Sequence, residues 1–304
     1  MTLRRKALVL SFLLTGVLVP VRIPAETSPD QVSGSRGTAV RIWAASFTPG
    51  DILLLSLSGP SSVREVGVNF LNRDLILRPD EEGGPALAFI GLDLGLKPGL
   101  QPMRVVFYYK DGSSETALKS FQVKRRTFRL RQIRVPEQFI EPPPEVQERI
   151  SREARMLAEV YAEVTPRWLG DGRFVAPHQG RMMNNFGERR ILNGQKRSVH
   201  AGLDIDAAQG DLITASNAGN VVLAADLYFS GNTVILDHGL GVFTVYLHMS
   251  KLLVQTGNHA GQGAALGEAG STGRSAGPHL HWAVKIFDSR VDPQALLGLP
   301  LDSR

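Results

Sequence analysis

Between Thr38 and Lys124, runs of apolar residues five to nine long alternate with polar positions and are cut by Pro49-Gly50, Gly59-Pro60, Gly83-Gly84, Pro98-Gly99 and Asp111-Gly112. Period-two alternation between such turn pairs predicts strands at 39–45, 52–58, 63–71, 75–77, 86–92, 104–109 and 116–123. About seven short strands at this spacing suggest a small β-sandwich. The pattern then changes. Val146, Ile150, Ala154, Leu157, Ala158 and Tyr161 recur at helical spacing, predicting an amphipathic helix over 145–164 with Arg149, Arg152, Glu153 and Glu159 on its solvated faces. Ahead of it, Glu141-Pro142-Pro143-Pro144 cannot continue a helix and reads as a stiff connection.

From Phe174 onward glycines punctuate short β-forming runs, predicting an all-β unit with strands at 212–216, 220–225, 233–238, 242–249 and 279–287. The fold class expected is therefore all-β in two domains. The expected divisions are residues 1–25, a β-sandwich-like domain over 38–125, a linker and helix over 126–165, and a glycine-rich antiparallel β-sheet domain over 166–300.

Chemistry concentrates in that last unit. His279, His281, Ala283 and Lys285 leave one face of a strand, so the two imidazoles start roughly 6–7 Å apart. His200, Gly202 and Asp204 share a face in the same way, and Thr244, Tyr246 and His248 are set against Val245, Leu247 and Met249. Four His and one Asp thus meet on strands that one sheet can bring together. Two His and one Asp match the ligand count of a catalytic zinc site, which keeps one coordination position open. The spacing does not choose which of His279 and His281 would bind metal. His178, His238 and His259 sit within two residues of Pro or Gly in expected turns and are expected to be structural. Tyr246 would line the cleft or cap a sheet face, and Arg189 is expected to brace a loop.

The 304 residues contain no cysteine, so disulfides are excluded and any metal site must use His and carboxylates. Arg4, Arg5 and Lys6 precede an apolar run from Ala7 to Val21, which reads as a secretory signal; left uncleaved, it would act as a membrane anchor. Export to the periplasm or cell envelope is expected. The formal net charge of +5 suits an anionic partner. Nucleic acid is not expected, because aromatic and basic residues are not interleaved in the way that stacks bases.

The stretches Phe186-Gly187-Glu188-Arg189-Arg190 with Asn193-Gly194, His200-Ala201-Gly202-Leu203-Asp204, Tyr246-Leu247-His248, and Gly273-Arg274-Ser275-Ala276-Gly277-Pro278-His279-Leu280-His281 together resemble the LytM and lysostaphin-type zinc peptidases, family M23. The resemblance covers 174–293 and implies that His200, Asp204 and His281 hold a zinc ion whose bound water is the nucleophile. It implies further that His279 is the general base and His248 stabilises the tetrahedral intermediate. The implied activity is endopeptidase cleavage of peptide cross-links or bridges in peptidoglycan, in a diderm cell the D-alanyl to diaminopimelyl link. Two other readings are a carboxypeptidase trimming wall peptides and a non-catalytic activator or scaffold of other wall hydrolases. The latter relatives lose zinc ligands, whereas all three are kept here. Asn184-Asn185 and Asn258-His259 depart from the family pattern, and substrate contacts rather than metal binding are expected to feel this. The β-domain and the helix are expected to be able to cover the groove, and hydrolysis is expected to fail below about pH 6, where imidazole is protonated.

Overall fold

The computed structural model describes residues 30–60, 62–79 and 86–301. The secretory signal expected at 1–25 lies outside the described residues, as do the acids Asp80, Glu81 and Glu82. Among the described residues the architecture is all-β with two helices of α type, as the alternating patterns suggest.

The N-terminal lobe contains eight strands: β1 (Asp30–Ser33), β2 (Ala39–Trp43), β3 (Ile52–Ser58), β4 (Val63–Phe70), β5 (Arg73–Leu77), β6 (Leu87–Gly91), β7 (Gly99–Tyr109) and β8 (Ser114–Val123). They form two antiparallel four-stranded sheets, ordered β1-β2-β3-β6 and β5-β4-β7-β8. The inward residues of both sheets, among them Val40, Leu53, Leu55, Val66, Phe70, Val105 and Phe107, make one buried core. This is the sandwich the alternation implies, with β1 added ahead of Thr38.

The basic stretch after it holds a short strand, β9 (Leu130–Ile133), which pairs in parallel with β10 (Arg189–Leu192). In turn β10 forms a hairpin with β11 (Lys196–Val199) through Asn193 and Gly194, both at positive φ. Helix α1 (Gln147–Ala162) follows the prolines. Its packed side is slightly rotated from the expected one: Met156, Leu157, Val160 and Tyr161 meet the C-terminal sheet, while Ala154 and Ala158 are exposed. Glu153, expected in solvent, is buried. Its carboxylate accepts from Arg149 Nε at 2.6 Å and from the Tyr228 amide at 2.8 Å, which satisfies the charge where it leaves water.

The C-terminal lobe is built on β12 (Gly202–Ile205), β13 (Leu212–Thr214), β14 (Gly219–Leu227), β15 (Gly231–Asp237), β16 (Val242–Met249), β17 (Lys251–Leu252), β18 (His259–Ala260), β19 (Ala265–Glu268), β20 (Leu280–Ile286) and β21 (Ser289–Val291), followed by α2 (Pro293–Leu297). The main sheet is antiparallel, in the order β12-β20-β16-β15-β14-β18, with β21 against β20. Register sets its two faces. Asp204 lies opposite His281, and His281 opposite Leu247, on one face. Leu203, Trp282 and Tyr246 lie on the other. Onto that second face the sandwich packs its outer surface, through Ile52, Leu54 and Phe89, with the Phe89 and Trp168 rings 5.0 Å apart. Helix α1 instead lies on the first face, over Val245 and Ala283. The sheet therefore carries its ionisable cluster on the side shared with α1, away from the sandwich.

Candidate metal centre

His200 precedes β12 and Asp204 lies within it, with Gly202 between them facing the same way. A Cβ added at Gly202 would stand 2.4 Å from His281 Nε2, so only glycine leaves room for the ring opposite. Register across β12 and β20 then brings three side chains together. His200 Nε2 lies 3.0 Å from Asp204 Oδ1 and 2.9 Å from His281 Nδ1, and His281 Nδ1 lies 3.0 Å from Asp204 Oδ1.

Partners outside this triangle fix what it can bind. His200 Nδ1 donates to the Asn185 carbonyl at 2.9 Å, so Nε2 of the neutral ring turns a lone pair inward. Asp204 Oδ2 is tied up by Asn185 Nδ2 at 2.8 Å and by Arg190 at 3.2 Å, while its amide donates to Asn185 Oδ1 at 3.1 Å. Burial alone would raise the Asp204 pKa, but the His200 and His281 side chains beside it hold the carboxyl well below the usual carboxylate range. Burial pushes His281 down to about 4, keeping that ring neutral near pH 7. A carboxylate oxygen and one ring nitrogen from each of two imidazoles converge, a donor set suited to a cation. Tetrahedral zinc with bonds of 2.0–2.1 Å needs ligand atoms ~3.3 Å apart, a few tenths of an ångström wider than this triangle. His200, Asp204 and His281 alone among the described residues form such a cluster.

Two further imidazoles border it. His279 Nε2 is 3.6 Å from Asp204 Oδ1, and its Nδ1 donates to the Gly277 carbonyl at 2.8 Å. The His248 ring centroid is 5.1 Å from that of His279 and 5.9 Å from that of His281. His248 arrives by an irregularity. Simple alternation puts His248 and Tyr246 together, yet the site face of β16 carries Leu247. The register between β15 and β16 slips between Asn232 and Val234, and His248 sits at φ 65°, which swings its side chain round to the site. Its Nδ1 donates to the Thr272 carbonyl at 2.8 Å, its amide bonds to Ser230, and burial pushes it down to about 3. Tyr246 is correspondingly buried on the far face, bonded to Ser216 and Thr244.

The remaining expectations sort clearly. His238 is fully buried between Ala218 and Thr244, His259 is exposed beside Asn220, and His178 contacts Gly180 and Asp211; none reaches the cluster. Arg189 is exposed, and its neighbour Arg190 is the one that reaches Asp204 while also bonding Glu188. Asn185 corrects the view that the Asn184-Asn185 departure concerns substrate contacts, since its backbone and side chain brace His200 and Asp204 directly. Neither Arg190 nor Asn185 was legible from strand periodicity, because both come from segments without it. A cleft of about 230 Å³ opens beside the cluster, lined by His200, His248, His281, Arg274, Leu192 and Ile133.

Residues 198–293 match the family model described as Peptidase family M23. Over 115 residues the chain is 37% identical to peptidoglycan DD-endopeptidase ShyA of Vibrio cholerae, covering 38% of this chain and 27% of that protein. It is 40% identical over 113 residues to the DD-carboxypeptidase/endopeptidase Mpg of Neisseria meningitidis, covering 37% and 26% respectively. The chain thus spans about a quarter of the length of these curated relatives. The crystal structure of a putative peptidase M23 from Pseudomonas aeruginosa is similar with a TM-score of 0.63 at 28% identity, covering 84% of this chain and 96% of that one.

Proposed function

We propose that this chain, whose residues 198–293 match the Peptidase family M23 model, is an exported, zinc-dependent endopeptidase that hydrolyses peptide cross-links of bacterial peptidoglycan. The observation that carries this reading is the convergence of the His200, Asp204 and His281 donor atoms, bordered by two more imidazoles on an open cleft. His200, Asp204 and His281 would hold the metal. When bound, zinc lowers the pKa of a coordinated water toward ~7 and polarises a carbonyl.

The protein's own groups would do the rest. His279 commits its Nδ1 proton to the Gly277 carbonyl, so its Nε2 is an acceptor turned toward the cluster, the disposition of a general base. His248 commits its Nδ1 proton to Thr272 in the same way. With Nδ1 so committed, Nε2 of the neutral ring would accept a hydrogen bond from water entering the cleft. It becomes a donor to the developing oxyanion only on gaining a second proton, which its burial opposes. Arg190 neutralises Asp204 from behind and Asn185 fixes its plane, so the carboxylate keeps one oxygen for the metal. Of the chain that precedes the catalytic lobe, Ile133 and Val135 line the cleft and would be the part that restricts access to it, while the sandwich, packed on the opposite face of the sheet, would serve as a brace.

Incubation of the purified mature chain with sacculi, with and without a chelator, tests the proposal. Mass analysis should find cross-linked muropeptides converted to monomers only without chelator. Release of terminal residues from free pentapeptide, with cross-links intact, would favour the carboxypeptidase reading instead, an activity named for the Neisseria relative.

A further inference from the structure

Among the described residues, Arg274 is the cation of the cleft that has no acidic partner. Its guanidinium is half-buried, stands 5.3 Å from the centre of the Phe229 ring, and has no carboxylate within ion-pair distance among the described residues. Arg190, in the same cleft, is by contrast fully employed on Glu188 and Asp204. Burial, with the charge of Arg190 nearby, pulls the Arg274 pKa down, the mark of a cation that lacks a counter-ion.

The segment that carries it is held in place. The Arg274 amide donates to the Phe229 carbonyl at 2.8 Å, and Thr272 Oγ1 both receives the Asn232 amide and bonds to the Met249 carbonyl. Gly273, at φ 68°, lies so close to Gly231 that a Cβ would meet the Gly231 nitrogen at 2.3 Å. The same Thr272 accepts from His248 through its carbonyl, so one clamped loop positions both a candidate catalytic imidazole and the free guanidinium. A half-desolvated arginine held rigid without an acid is a site waiting for an anion, and guanidinium matches carboxylate in a two-bond fork.

We propose that Arg274 is a specificity residue that binds a free carboxylate carried by the substrate peptide beside the scissile amide. This rests on the peptidase reading and narrows it. Cross-links with a carboxyl group on a residue flanking the amide would be taken, and neutral bridges such as glycyl chains would be poor substrates. Arg274, His248 and His281 line one cleft of about 230 Å³, which is why the carboxylate is assigned to one of the two residues joined by the reacting amide.

The test compares full-length mature wild type with Arg274→Gln and Arg274→Lys on purified cross-linked muropeptide dimers. In one dimer the carboxylate beside the scissile amide is free; in the other it is amidated. Wild type should lose roughly 10- to 100-fold in kcat/KM on amidation, mainly through KM. R274Q should be equally slow on both dimers, R274K intermediate, and zinc content and melting temperature should match wild type. Equal rates of wild type on the two dimers, or an undiminished preference in a folded R274Q, would overturn the proposal; should R274Q not fold, the wild-type comparison and R274K decide. If wild type cleaves neither dimer, the peptidase reading fails by itself. Calorimetry with the free and amidated tetrapeptides then decides the carboxylate question: tenfold tighter binding of the free form, lost in R274Q, supports it, and equal affinities overturn it.

Discussion

Replacing Asn185 by Ala tests whether the metal cluster is held by its supports or only by its three principal side chains. The substitution leaves the backbone bond to His200 intact but deletes two side-chain bonds to Asp204, Nδ2 to Oδ2 at 2.8 Å and Oδ1 from the amide at 3.1 Å. A bond to a charged carboxylate contributes about 1.5–3 kcal/mol and a neutral one about 0.5–1.5 kcal/mol, so the metal-free chain should lose about 2–4 kcal/mol. With Asp204 free to rotate about its remaining bond to Arg190, zinc affinity should fall roughly 10- to 100-fold. Urea unfolding in chelator reads the first effect and competition against a chromophoric chelator the second. Asn185→Asp sharpens the comparison, since it sets a second carboxylate where Nδ2 now lies against Asp204. The repulsion raises a carboxyl pKa in the folded state above its unfolded value, so that variant keeps stability at low pH and loses it as pH rises. The gap between the two variants should therefore widen from pH 5 to pH 8. An N185A protein with wild-type zinc affinity and an unchanged urea midpoint would refute the reasoning.

Other outcomes follow from the same geometry. Burial holds His238 and His281 near about 4 and His248 near about 3, below the ~6.5 of an exposed imidazole. The unfolded chain therefore binds more protons below pH ~6.5. Stability of the metal-free protein, complete above that pH, should fall toward pH 4 by as much as ~1.4 kcal/mol per unit for each ring, read as urea midpoints; a flat profile would contradict it. Gly202→Ala drives a methyl against His281 Nε2 and should cost at least tenfold in zinc affinity by chelator competition, with a stability loss of about 1–3 kcal/mol. Tyr246→Phe leaves the Ser216 amide without its 3.0 Å partner and should lower stability by about 1–3 kcal/mol while leaving zinc affinity within twofold of wild type.

What could be read from the chain alone was what period and spacing encode. Alternation found the sandwich strands and put His200 with Asp204 and His279 with His281, because those pairs sit on regular or nearly regular strand backbone. It misplaced Tyr246, because the slip in register at Leu247 and His248 turns the strand, and no residue type announces such a slip. It also missed β9, whose Leu130, Arg131 and Gln132 are all exposed, so backbone pairing with β10 leaves no hydrophobic trace. Asn185, Arg190 and Thr272 went unseen as supports for a similar reason. Their roles depend on hydrogen bonds made across long sequence separations, which only the folded chain creates.

Metal counting after equilibrium dialysis against zinc tests the central claim most directly. The full-length mature protein should retain one ion per chain, as should His178→Ala and His259→Ala, whereas His200→Ala, Asp204→Ala and His281→Ala should retain none at the same free zinc. One ion per chain in folded H281A, or none in wild type, would contradict the account.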